Sequence, residues 1–156
     1  QDRLAVQVSG RPAENSAFRK LFKYISGANT ASKKVAMTVP VAQSVSIEMT
    51  VSVMTSSKPY MQFFLPSSFT LETAPVPTDP GIKIVNVEGG YYAVLEYSGR
   101  STNANFHKQQ RILVNSLERD GVTQKSAPIM ATYNGPLTLP FMRRNEVMVM
   151  IDWKSE

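Results

Sequence analysis

The chain repeats itself at long range. Val6-Gln7-Val8-Ser9-Gly10-Arg11 leads into an apolar-periodic segment that closes at Gly27, and Leu95-Glu96-Tyr97-Ser98-Gly99-Arg100 leads into another that closes at Gly121. The two Gly-Arg pairs lie 89 positions apart (99 − 10). In both places a strand-like run gives way to a Ser-Gly-Arg turn, a short polar linker and one amphipathic helix. Echoes follow each helix, Ala36-Met37-Thr38-Val39-Pro40 after the first and Ala127-Pro128-Ile129-Met130-Ala131-Thr132 after the second. The spacing exceeds the roughly 20–50 residues of solenoid repeats. It restricts the chain to one domain made of two related α+β halves with a seam between them, and seams of this kind are where small ligands lodge.

A chain of 156 residues is long enough to bury one real core, so residues 1–156 read as a single domain. The halves run from about 1 to 65 and from about 82 to 156, joined by a loop over Phe69–Pro80 that holds Pro75, Pro77 and Pro80. Net charge is +5, from 17 basic and 12 acidic residues, but the basic residues are dispersed. The densest spots are Arg19-Lys20 with Lys23, Lys33-Lys34 and Arg143-Arg144, none of them a polybasic run of the nucleic-acid kind. The absence of cysteine excludes disulfides, zinc fingers, iron–sulfur clusters and a thiol nucleophile. No apolar stretch approaches the roughly 18 residues of a membrane span. No signal peptide is visible, yet Gln1 is not an initiator, so the chain reads as soluble and either cytoplasmic or exported after leader removal.

Periodicity sets the elements. Leu4–Val8 alternates as a strand, and a helix follows over about Asn15–Ser26 with Phe18, Leu21, Phe22 and Ile25 on the face expected to meet a sheet. Val35–Val41 is extended. Val45–Val53 alternates strictly, one face apolar and one polar, and Ser56-Ser57-Lys58-Pro59 turns it back into Tyr60–Leu65. Ile82–Val87 and Tyr91–Tyr97 are strands joined at Gly89-Gly90, a turn that tolerates positive φ. A second helix over Asn103–Asp120 turns Phe106, Leu113 and Leu117 inward, with Ile112 and Val114 beside them. A short extended run at Met130–Tyr133, a loop at Pro136–Pro140 and a strand carrying Val147, Val149, Ile151 and Trp153 complete about eight strands and two helices.

Catalytic constellations are scarce. The single histidine, His107, sits in the second helix and reads as a surface residue near Asn103 and Arg111. One histidine cannot build a His-rich metal site, no G-x-S-x-G elbow is present, and Ser98-Gly99-Arg100 lacks the glycine spacing and lysine of a phosphate loop. The carboxylates Glu48, Glu72, Glu88, Glu96 and Glu146 are scattered. No enzyme is expected. Binding chemistry is better supplied: eight methionines and thirteen Phe plus Tyr residues give an adaptable apolar interior. On the first helix Asn15, Arg19, Phe22, Lys23 and Ser26 share a flank that is part apolar and part cationic. An aromatic ligand bearing carboxylates suits it, ring against Phe22 and carboxylates on Arg19 or Lys23.

Several separated motifs resemble the SOUL haem-binding proteins: Phe22-Lys23-Tyr24-Ile25-Ser26-Gly27-Ala28-Asn29 followed by Val35-Ala36-Met37-Thr38-Val39-Pro40-Val41, Phe69-Thr70-Leu71-Glu72 with Pro75, Pro77 and Asp79-Pro80, and Leu139-Pro140-Phe141-Met142-Arg143-Arg144-Asn145-Glu146-Val147. The resemblance covers almost the whole chain, in order, and is to the family's bacterial members. It implies an α+β fold, a distorted antiparallel β-barrel of about eight strands flanked by two helices in two pseudo-symmetric βαββ-type halves. It also implies reversible, non-enzymatic binding of haem or another tetrapyrrole in a shallow groove beside the first helix, lined by Phe18 and Phe22. Of the family's two basic propionate partners one matches Lys23; the other falls on the uncharged Asn15, with Arg19 one turn on as a substitute. The loop bearing Leu139, Phe141 and Met142 supplies a facing wall. Family members begin with a further strand carrying Tyr/Phe-Glu-x-Arg-x-Tyr, and nothing like it precedes Arg3-Leu4-Ala5-Val6, so a first strand is expected to be missing upstream of Gln1. Strong axial ligation is not expected, because no histidine stands near that strand. Two other readings stay open: a sensor module resembling bacterial multidrug-effector domains, holding lipophilic cations in the inter-half cleft against Glu96 or Glu146, and a protein that pairs with a partner strand or a second copy through an unpaired sheet edge.

Overall fold

The structure, a computed structural model, describes residues 2–10, 14–36, 41–44, 59–134 and 137–153, with the backbone alone at 14 and 15. The expected strand Val45–Val53, the run Met37–Pro40, the turn Ser56–Lys58, Pro136 and the side chain of Asn15 lie outside the described residues. The chain forms two compact units, Gln1–Gly89 and Gly90–Glu156. Both are α+β.

The first unit holds β1 (Arg3–Ser9), helix α1 (Glu14–Ile25), β2 (Val41–Ser44), β3 (Tyr60–Phe64) and β4 (Ile82–Val87). Its strands are ordered β4-β1-β3-β2, with β1–β4, β1–β3 and β2–β3 all paired antiparallel. Strand alternation sends Val6, Val8, Met61, Phe63 and Ile82 to one face, where they pack with Ala17, Leu21, Tyr24 and Ile25 of α1. Ile82–Val87, which by sequence position opens the second half, belongs here because it pairs along β1 from Val8↔Ile82 to Arg3↔Val87.

The second unit holds β5 (Tyr91–Tyr97), helix α2 (Asn103–Arg119), β6 (Ile129–Thr132), one 3-10 turn at Pro140–Met142 and β7 (Asn145–Ile151). Its strands are ordered β6-β7-β5, again antiparallel. The alternation of β7 ends at Ile151, and Trp153, expected inside, is exposed. Thr102 caps α2 by accepting the Asn105 N–H, and α2 buries Phe106, Gln110, Leu113 and Leu117.

The two units share a register. The row Val41–Phe63–Val6 crosses the first sheet, and Met130–Val147–Leu95 crosses the second in the same strand order. Gly10 and Gly99, the glycines of the duplicated Gly-Arg pairs, have φ of 113° and 107°, a region that only glycine occupies without strain, so both turns need them. Positive φ is not used at Gly89-Gly90; the Gly89 N–H instead donates to the Asp2 carboxylate at 2.9 Å. Seven strands are present among the described residues, and neither unit's sheet closes on itself. The expected barrel is therefore not something that either set of strands forms alone.

Candidate functional site

Helix α1 does not present the face that simple periodicity suggests. Its buried side is Ala17, Leu21, Tyr24 and Ile25, while Phe18 and Phe22 stand at its edge, 36% and 49% exposed. Tyr24 takes the interior place because its hydroxyl finds a partner there, donating to the Pro75 carbonyl at 2.8 Å, so a large polar-tipped ring is buried without an orphan group. Burial also raises its pKa. The loop after β3 straps that flank of the helix: Thr30 N–H donates to Val76 O, Thr78 Oγ1 to Ala28 O, and Lys20 pairs with Asp79 at 3.2 Å. The Asp79 carboxyl is held below its ordinary value chiefly by the Gly81 N–H, then by the Lys20 hydrogen bond, with Lys23 contributing through space.

On the opposite flank the two phenylalanines form a ledge. Their rings are stacked with centroids 6.1 Å apart and 12° between planes, and Phe18 meets Phe63 of β3 edge-on at 5.3 Å. Arg19 and Lys23 are exposed one position along from each ring. At about 100° per residue, Arg19 lies roughly 60° from Phe22 around the helix, whereas Lys23 lies about 100° from Phe22 and about 60° from Lys20. Arg19 thus flanks the ledge, and Lys23 leans toward the Lys20–Asp79 side. The ledge exposes aromatic surface beside cations, and that chemistry fits a flat apolar plate carrying carboxylates.

Leu139, Phe141 and Met142 occupy a single loop of the second unit and project apolar side chains into solvent, Phe141 being 73% exposed. The backbone beneath them is tied down. Gly99 N–H donates to Pro140 O at 2.9 Å, Met142 N–H to Leu139 O, and Arg143 Nε to Thr138 O at 2.7 Å. The seven site residues expected from sequence therefore fall into two groups, Phe18, Arg19, Phe22 and Lys23 on α1 and Leu139, Phe141 and Met142 on the 137–142 loop, each coherent within its own unit. Phe63, which supports the ledge from below, escaped the sequence argument; its inward position in the alternating run Tyr60–Leu65 is the signal that could have found it.

The two glutamates considered for cation binding differ. Glu96 is exposed, whereas Glu146 is 3% exposed. Glu146 is fully engaged: Tyr133 Oη donates to one oxygen at 2.7 Å and Arg144 grips the other at 2.6 Å, while Arg144 also reaches Glu96 at 3.1 Å and lies over the Tyr133 ring. Burial, then the hydrogen bond to Glu146, pushes the Tyr133 phenol up to about 12. His107 is half-buried beside Phe106 with Nδ1 3.2 Å from Gln110 Oε1, a packed helix residue rather than a surface one. Among the described residues no group of three or more His, Cys, Asp or Glu side chains is placed to hold a metal ion, and no helix is long and apolar enough to cross a membrane.

Known proteins resemble this chain over most of its length. Heme-binding protein 1 from Bos taurus is 28% identical over 148 residues, covering 93% of this chain and 75% of that protein. Heme-binding protein 1 from Mus musculus is 28% identical over 149 residues, with 93% and 76% covered. Among solved structures, an uncharacterized conserved protein from Listeria innocua superposes with a TM-score of 0.70 at 11% identity, over 97% of this chain and 88% of that one. A second Listeria innocua structure, described as a hydrolase, gives 0.63 at 12% with the same coverage; at such identities the likeness speaks for the fold alone. The model of the SOUL heme-binding protein family matches residues 3–150. The chain belongs to that family.

Proposed function

We propose that this protein binds haem or a related tetrapyrrole reversibly and without catalysis, as a buffer or carrier, on the α1 ledge. The stacked and half-exposed Phe18–Phe22 pair carries the reading, because exposed aromatic surface beside cations is what a planar dicarboxylate needs. Phe18 and Phe22 supply the apolar platform, and Arg19 and Lys23 take the carboxylates. The first unit contains no histidine, so retention rests on ring and carboxylate contacts. Burying on the order of 350 Å² of macrocycle at about 25 cal/mol/Å² contributes roughly 9 kcal/mol. Lost motional freedom takes back at least about 4, and each exposed carboxylate pair adds about 0–1. The remainder corresponds to a Kd of about 10–200 μM.

Titration with haemin, followed by Soret absorbance, tests this. Saturation in that range is expected, with loss of about tenfold or more in affinity for a Phe22→Asp, Lys23→Glu double variant and no loss for Arg111→Ser, at the matching place on α2. An unchanged Soret band at about 100 μM protein, or full binding by the double variant, overturns the function or the site respectively. The alternative, a module holding lipophilic cations at Glu96 or Glu146, is disfavoured by the engagement of both Glu146 oxygens. A preference for lipophilic cations over anionic porphyrins in the same titration would reverse the ranking.

A further inference from the structure

The connection from β6 to β7 carries a run that surface loops ordinarily avoid. In Leu137-Thr138-Leu139-Pro140-Phe141-Met142 every residue but Thr138 is apolar. Leu137 is 97% exposed, Phe141 73%, Met142 63% and Leu139 55%. Large apolar side chains displayed together mark an interaction surface, because water solvates them at a cost. The tip stands beyond the last rungs of both neighbouring ladders, Thr132↔Asn145 and Tyr97↔Asn145, so strand pairing along this sheet does not reach it. Its backbone is fastened from below. Pro140 O accepts from Gly99 N–H at 2.9 Å and from Arg143 N–H at 3.1 Å, and Asn134 Oδ1 accepts the Arg144 N–H at 2.7 Å. A fastened backbone keeps the apolar side chains facing outward.

The charge around this tip has one sign. No Asp or Glu lies between Asp120 and Glu146, a stretch that carries Lys125, Arg143 and Arg144. Arg100 is exposed and follows Gly99, whose N–H holds Pro140. The nearest acids, Glu96 and Glu146, are both bound by Arg144. An apolar tip above a cationic collar is complementary to a bilayer with anionic headgroups. The hydrocarbon takes the apolar side chains, and the arginine stems let their guanidinium groups stay at the level of the headgroups. A globular partner would have to supply a pocket for Leu137, which stands almost clear of its own chain, whereas a fluid lipid surface conforms to it.

We propose that the 137–142 loop docks this protein on anionic membrane surfaces. Leu137, Leu139, Phe141 and Met142 enter the headgroup–acyl boundary, and Arg100 and Arg143 lie against the lipid phosphates. Six residues are far fewer than a span needs, so the insertion is shallow and reversible. The inference does not depend on tetrapyrrole binding.

Co-sedimentation of the full chain with phosphatidylcholine vesicles, with and without about 30 mol % phosphatidylserine, tests it. Binding about fivefold or more tighter to the anionic vesicles is expected. A Leu137→Ser, Phe141→Ser double variant keeps every charge and should bind the anionic vesicles about tenfold or more weakly. Arg100→Gln should lose about two- to fivefold on anionic vesicles and nothing on neutral ones. In a Trp153→Phe background, Phe141→Trp should shift its emission to the blue on anionic vesicles and be quenched by brominated acyl chains. The assignment is overturned if the chain does not sediment at about 1 mM anionic lipid, if the double variant binds as well as the parent, or if the Phe141→Trp emission is unmoved by vesicles. Lipid-free self-association that the double variant abolishes would also overturn it, by making a second copy of the chain the occupant of the tip.

Discussion

Helices α1 and α2 bury matching positions and expose different chemistry. Ala17, Leu21 and Tyr24 of the first correspond at a spacing of 89 to Phe106, Gln110 and Leu113 of the second, and all six are buried. Phe18 and Phe22, half-exposed on α1, correspond to His107 and Arg111 on α2. The inward positions are fixed by packing on equivalent sheets, and the edge positions are free to diverge. The aromatic ledge therefore belongs to one unit. The other sheet face diverges too. Gln7 and Gln62 pair directly in the first unit, Nε2 to Oε1 at 2.8 Å. The equivalent pair in the second unit is Glu96 and Glu146, two carboxylates bridged by Arg144. A neutral pair satisfies itself, whereas an acidic one needs a third residue.

Removing that third residue should have the largest effect. Arg144→Ala leaves the buried Glu146 carboxylate opposite Glu96 with only Tyr133 to hold it, and the largest drop in urea midpoint among these variants is expected. Converting both glutamates to glutamine in the Arg144→Ala background rebuilds the first unit's solution and should recover most of the loss. If the triple variant is no more stable than Arg144→Ala, the equivalence of the two pairs is wrong.

The turn glycines come next. Alanine at Gly10 meets no atom of the described residues within 4 Å and carries backbone strain of about 1–3 kcal/mol. Alanine at Gly99 carries the same strain and places its Cβ 3.1 Å from Asn105 Nδ2, whose amide donates to the Ser98 and Arg100 carbonyls. Gly99→Ala should therefore be the more damaging of the two by thermal midpoint. The reverse order would mean that the Asn105 bridge yields at little cost.

Alkali probes the Tyr133–Glu146 contact, which the first unit's glutamine pair has no need of. The Tyr133 phenol, at about 12 in the folded chain, binds its proton more tightly there than in the unfolded chain, where the value is near 10. The folded state holds more protons between those values, so its contribution is complete below pH 10 and is lost as pH rises toward 12. Tyr133→Phe should flatten that part of a stability profile measured from pH 9 to 12. Tyr24 and Tyr97, also raised by burial, keep the remaining slope. An unchanged profile would mean that Tyr133 ionises as freely folded as unfolded.

Much of this was legible in the residues. The Gly-Arg pairs located both turns and their spacing, and apolar alternation placed β1, β3 and β7 within a few residues. What failed did so where hydrogen bonding overrides hydropathy. Tyr24 is inside because Pro75 offers its carbonyl from 51 positions away, and that displaces Phe18 and Phe22 to the rim. Gln110 is buried where a polar residue looks like surface, with His107 beside it. Glu146 reads as one more scattered acid until Arg144 and Tyr133 close around it. Ile82–Val87 looked like the opening of the second half, and only its ladder to β1 shows which core it joins. The periodicity that picked out Phe18 and Phe22 pointed them inward, and the structure sets them at the exposed edge of α1 instead.

The Lys20–Asp79 pair, part of the strap across α1, should matter least. The corresponding place on α2 is Gln109, so the second unit manages without an ion pair there. Both side chains are substantially exposed, 43% and 36%, and solvent screens what attraction they have. Lys20→Ala should lower stability by about 0–1 kcal/mol, with the shift vanishing in high salt. The strap's other ties, Tyr24 to Pro75 and Thr30 to Val76, are short-range hydrogen bonds that salt does not weaken, so they hold the loop on the helix when the charges are gone. A loss well beyond 1 kcal/mol that persists in high salt would show that Lys20 acts through the packing of its stem along the strap, and the flank facing Asp79 would then count as core.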